Sequence, residues 1–90
     1  MSRLEIIHLR TAGKSSEFLA RQIREAIGSE ADGTGVVTIY RRNGLDTDVA
    51  IHIASHGSGE EAGPSALGLH LASALSAYGL VEHTLWEELT

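Results

Sequence analysis

Four side chains are of types that could do chemistry together: Tyr40, His52, His8 and Trp86. A phenol donates a hydrogen bond, an imidazole takes or gives a proton near neutral pH, and an indole offers an apolar wall. Lining one apolar cavity, they are what a small aromatic or polyketide-like ligand would need. In that reading His52 and Tyr40 are the catalytic candidates, His52 as proton-transfer group and Tyr40 as hydrogen-bond donor. Trp86 and His8 are the ligand-binding candidates, the first as wall and the second as a further titratable group. The plainer reading weighs more on sequence alone: Tyr and Trp are common in dimer interfaces, and these residues would simply pack one.

The elements that must position them centre on the stretch from Val36 to His56, VVTIYRRNGLDTDVAIHIASH. It reads as two strands joined by a tight turn at Asn43-Gly44, since both residues tolerate positive φ. Val37 and Ile39 share a face with Val49, Ile51 and Ile53, and that face is core. The opposite face carries Thr38, Tyr40 and Arg42 across from Ala50, His52, Ala54 and His56, and a site is expected there. Before this hairpin, Leu4 to Arg10 alternates with apolar residues on both faces, which marks a central strand covered on both sides. Ser15 and Ser16 are N-cap candidates for a helix over 16–27, with a stripe of Phe18, Leu19, Ile23, Ala26 and Ile27 and Gly28 as C-terminal cap. Residues 29–35 form a polar loop with a turn at Asp32-Gly33. A second glycine-rich loop reaches Pro64, and a second helix is expected from Pro64 to Tyr78, closed by Gly79, with Leu67, Leu71, Ala74, Leu75 and Tyr78 inward. Leu80 to Leu89 alternates again as a final strand, with Trp86 on its less apolar face. The expected core is Phe18, Ile23, Ile27, Ile39, Ile51, Ile53, Leu67, Leu71 and Leu75.

Strand, helix, strand, strand, helix, strand is the split βαβ, or ferredoxin-like, order of an α+β domain. It places both helices on one face of a four-stranded antiparallel sheet and leaves the other face open. Tyr40, Trp86 and Ile6 or Ile7 on that face would expose a larger apolar patch than monomers usually tolerate, so a covering partner is expected. In length, element order and the closing segment YGLVEHTLWEEL (Tyr78 to Leu89), the chain resembles the dimeric α+β barrel superfamily, which includes small cofactor-independent monooxygenases of antibiotic biosynthesis. The resemblance implies a homodimer whose two open sheets meet face to face and close a barrel able to hold a ligand. It also implies chemistry without a metal or flavin, in which an electron-rich substrate loses a proton and reacts with oxygen. The monooxygenase members use Asn, Trp and Tyr side chains in the cavity. Here the single Trp lies on the last strand and Asn43 in a turn, so those roles do not map onto this chain.

Other features weigh less. The five histidines, His8, His52, His56, His70 and His83, raise a metal site, but no HxH or HExxH spacing is present, and His52 and His56 on one strand would stand roughly 13 Å apart. His8 and His52, on neighbouring strands, could meet on the open face, where cavity or interface roles fit better than metal ligation; His70 reads as a surface residue. Gly13-Lys14-Ser15 imitates the end of a phosphate loop, yet the first glycine of that pattern would fall at His8. A capped loop is the bland reading, with anion attraction by Lys14 as the alternative. Glu60-Glu61 reads as solvated charge.

Ninety residues make one domain, able to bury roughly 60% or slightly more of the unfolded chain's surface. A hydrophobic share of 42% with 21% charged residues is that of a soluble globular chain, with no apolar run to span a membrane. The opening LEIIHL is too short and charged for a signal peptide, so a cytoplasmic location is expected. Absence of cysteine removes thiol and disulfide chemistry, and a net charge of −5 with no basic cluster beyond Arg41-Arg42 speaks against nucleic acid. No cofactor is expected. Two functions remain: a barrel protein that binds or oxidises a small aromatic-type molecule, and a non-catalytic dimeric binding or regulatory module whose open face serves assembly alone.

Overall fold

A computed structural model describes residues 2–11, 13–28, 36–44, 47–56 and 63–89, and every structural statement below concerns those residues. The elements are β1 (Ser2–Thr11), α1 (Ser16–Ile27), β2 (Val36–Arg41), β3 (Asp48–His56), α2 (Ala66–Leu75) and β4 (Gly79–Glu87). The four strands form one antiparallel sheet in the order β2-β3-β1-β4. This is the expected ferredoxin-like α+β arrangement, with β1 central because its alternation is apolar on both faces.

Helix α1 begins where Ser15 accepts a hydrogen bond from Phe18 N and ends at Gly28, whose φ of +49° suits a residue without a Cβ. Leu19 and Ile23 of α1 and Leu67, Leu71 and Leu75 of α2 are buried against Ile7, Leu9, Val49, Ile51 and Ile53 of the sheet. Phe18, Ile27 and Ile39, expected in the core, instead pack partly buried around it. Phe18 meets Tyr78 edge to face, with ring centroids 5.9 Å apart, while Lys14 Nζ lies 5.1 Å from the Phe18 ring centroid. The loop before α1 is thus a capped loop with its lysine over an aromatic ring.

Two expected boundaries are corrected. Helix α2 is shorter than 64–78: Ser65 caps it by accepting from Gly68 N, and after Ser76 the chain turns through Tyr78 N to Leu75 O. Gly79 does not close the helix; it opens β4, where a Cβ would stand 2.2 Å from Arg10 O across the β1 ladder. The connection of β2 to β3 is also longer than a tight Asn43-Gly44 turn. Arg41 pairs with Val49, and Arg42 N donates to Asp48 O, so the connection runs over 43–47, and among its described residues only Gly44 adopts positive φ. Side-chain parity explains this. A two-residue turn on Asn43-Gly44 would set Ile39 opposite Asp48, whereas the longer loop sets Ile39 opposite Ile51 and keeps the apolar faces together. The Asp32-Gly33 turn and Glu60-Glu61 lie outside the described residues.

Candidate functional site on the open sheet face

The strand register lays the open face out in rows. Val36, Ala54, Leu4 and Trp86 form one row; Thr38, His52, Ile6 and Thr84 the next; Tyr40, Ala50, His8 and Glu82 the third. Arg10 lies between Asp48 and Leu80 in the last row. All four candidate residues therefore share this face, because alternation sends every second side chain to it. No helix covers it: Val36, Tyr40, Leu80 and Trp86 are all at least half exposed, and Leu4 and Ile6 are half-buried.

The four are not gathered at one point. Tyr40 and His52 meet, with ring centroids 4.6 Å apart at a tilt of 56°. Trp86 stands at the opposite end from His8 and donates from Nε1 to Thr84 Oγ1 of its own strand at 2.9 Å. His8 neighbours His52 only diagonally, since it pairs with Ala50 while His52 pairs with Ile6. Its Nε2 lies 2.9 Å from Asp48 Oδ2 instead. The expected His8–His52 meeting thus gives way to a histidine–carboxylate pair, and no group of three or more metal-ligating side chains is found among the described residues. His70 is exposed on α2, as expected.

Asp48 is the residue that sequence reasoning missed. It is 4% exposed at the first position of β3. Thr47 Oγ1 donates to its Oδ1 at 2.8 Å, and the Arg10 and Arg42 guanidinium groups each stand 3.7 Å from Oδ2. The Thr47 hydroxyl first and the His8 ring second, aided by the charge of Arg10, hold the Asp48 carboxyl below its ordinary value against the opposing effect of burial. Beside this hub lies an open depression of about 340 Å³, lined by Ile6, His8, Tyr40, Arg42, Asp48 and Ala50 among others; His52 and Trp86 do not line it. A larger hollow of about 620 Å³ runs between α1 and edge strand β2. Its walls are largely long charged side chains such as Arg21, Arg24 and Glu25, with no buried ionisable group, so the smaller depression has the better-organised chemistry.

A second buried constellation sits on the helix side. Glu5, 6% exposed, receives Ser65 Oγ at 2.7 Å and pairs with His83 Nε2 at 2.6 Å. Its carboxylate thus lies at the N-terminus of α2, where the helix dipole favours negative charge. The contact leaves no room for a side chain at Gly68, whose Cβ would fall 1.7 Å from Glu5 Oε2. The alternation signal for this pair was present, because Glu5 shares parity with Ile7 and Leu9, and His83 with Val81 and Leu85.

Among the described residues no helix is long and apolar enough to cross a membrane. No protein-family model and no curated protein matches the chain. Among solved structures, SnoaB from Streptomyces nogalater, a cofactor-independent oxygenase crystallised as an asparagine-to-alanine variant, superposes with a TM-score of 0.63. The match covers 99% of this chain and 94% of that one at 17% identity. The chain therefore has the α+β fold that its element order and closing strand led us to expect.

Proposed function

We propose that two copies of this chain pair through their open sheet faces and enclose a site for a small aromatic-type molecule, on which the face's imidazole and phenol groups perform proton transfer. The observation that carries the reading is the uncovered face itself: Leu4, Ile6, Val36, Tyr40, Leu80 and Trp86 present apolar surface there, and both helices lie on the other side. Water would gain free energy by leaving such a patch, and an identical open sheet is the complementary surface at hand. The fold shared with SnoaB, described as a cofactor-independent oxygenase, supports a small-molecule site and oxidation as its chemistry. In this reading Tyr40 supplies a hydrogen-bond donor against the His52 ring, and Trp86 closes the apolar end.

A thermal-shift screen of small aromatics against wild type and His52→Ala tests it, because a ligand bound only to the native state raises apparent stability. Stabilisation of the wild type that is lost in His52→Ala supports a site at the Tyr40–His52 pair. Stabilisation undiminished by that change removes His52 from the site, and no stabilisation by any aromatic contradicts the reading. A second reading, an assembly face without catalysis, draws on the side chains' own pairing. Trp86 is engaged by Thr84, and Tyr40 and His52 meet at a tilt of 56° rather than lining a common hollow. A dimer that no aromatic stabilises would favour it.

A further inference from the structure

We propose that the depression at the Asp48 end of the open face binds an acidic phenol or enol as its oxyanion, with His8 as the proton acceptor and Asp48 as the residue that positions it. The proposal rests on reading the open face as a small-molecule site, and it adds the proton acceptor and the charge of the ligand.

His8 and His52 are the imidazoles whose side chains are described on this face, and His8 is the one held by a carboxylate. A carboxylate only accepts, so His8 Nε2 carries the hydrogen at 2.9 Å and Nδ1 keeps its lone pair. In the neutral ring that fixes one tautomer, with Nδ1 as the acceptor, the role a buried acid plays behind a histidine in proton-transfer sites. Burial has the right order. Asp48 is almost closed off, while the His8 side chain is 36% exposed and lines the depression. With its carboxyl held below the ordinary value by Thr47 and His8, Asp48 stays ionised when His8 becomes imidazolium.

The surrounding charge favours an anion. Arg10 and Arg42 flank the single carboxylate of Asp48, and Arg41 also lines the depression. This end of the face is therefore locally cationic in a chain whose net charge is −5. The groups facing His8 are Tyr40 on β2, Asp48 and Ala50 on β3, and the exposed Glu82 on β4. Ile6, Ala50 and the Tyr40 ring give apolar walls, and about 340 Å³ is room for a small ring system. In the step, the ligand O–H bond breaks, its electron pair stays on oxygen, and the proton forms an N–H bond at His8 Nδ1. No oxidant takes part, and the oxyanion is left among the arginine side chains.

The test uses 4-nitrophenol, whose ionised form absorbs visible light, below its own pKa, with nitrobenzene as a neutral ligand of similar shape. The full chain is expected to raise the ionised fraction of the bound phenol severalfold. His8→Gln, which keeps a donor for Asp48 but takes no proton, is expected to bind nitrobenzene as before and to abolish that rise. Asp48→Asn is expected to reduce the rise and shift its pH profile. Circular dichroism checks that each variant is folded. Ionisation that survives His8→Gln overturns the assignment. A chain that binds nitrobenzene without ionising nitrophenol overturns the proposal and leaves the small-molecule site standing. One that binds neither overturns both.

Discussion

Replacing Gly68 by alanine sets helix propensity against a buried carboxylate, and the structure says which wins. In an ordinary helix interior Gly→Ala stabilises by about 1 kcal/mol. Here the new Cβ would stand 1.7 Å from Glu5 Oε2 and 2.4 Å from its carboxyl carbon. A carboxylate at the end of a flexible side chain can usually swing aside, but this one is held by His83 at 2.6 Å and Ser65 at 2.7 Å in a site that is nearly closed to water. Displacing it strips a buried carboxylate of its hydrogen-bond partners, a loss on the order of 3–5 kcal/mol, so Gly68→Ala is expected to destabilise by about 2–4 kcal/mol net. Urea unfolding of the four members of a double-mutant cycle with Glu5→Ala reads the coupling directly. With the carboxylate gone, Gly68→Ala should become stabilising by about 1 kcal/mol relative to Glu5→Ala alone. A Gly68→Ala protein more stable than wild type would refute the reasoning, because it would mean that Glu5 can leave its partners without cost.

The remaining expectations are simpler. Leu71→Ala empties a fully buried position beneath the sheet and should lower stability by about 2–5 kcal/mol in chemical denaturation, a large share of what a small domain has. The Asp48 carboxyl is lower in the folded chain than in the unfolded one, so folding favours its ionised form. That stability is full above the unfolded value of roughly pH 4 and is lost as pH falls through the lower folded value, so the stability gap between wild type and Asp48→Asn should narrow under acid. Trp86→Glu should weaken self-association more than a change at exposed Leu69 on α2, since it would bury an unpaired charge between the sheets; equal association of the two variants by light scattering would place Trp86 outside the interface.

Much of the site's location was legible in parity. Once Ile39 and Ile51 were assigned inward, Tyr40 and His52 had to face the other way, whereas a first strand apolar on both faces left Ile6 and Ile7 undecided until the register set Ile6 and His8 on the open face. What parity could not supply was the partner of each polar group. Asp48 carried no signal of its own in the sequence, and the longer connection over 43–47 sets it at the first position of β3 beside His8. The expectation that His8 would meet His52 failed on register: a shift of two residues decides whether two side chains are opposite or diagonal, and the hydrophobic pattern is indifferent to shifts of two. Glu5 and His83 are the reverse case. Glu5 shares the parity of Ile7 and Leu9, and His83 that of Val81, so the pattern carried a signal for both, but their pairing was not drawn from it and is shown by the structure.

Whether the open face is covered by a second copy is measured most directly by sedimentation equilibrium of the purified chain at micromolar concentration. The account predicts a single species of twice the 9.6 kDa chain mass. A species at the chain mass itself across that range would contradict it, leaving the apolar face in water and the depression beside Asp48 without its second wall.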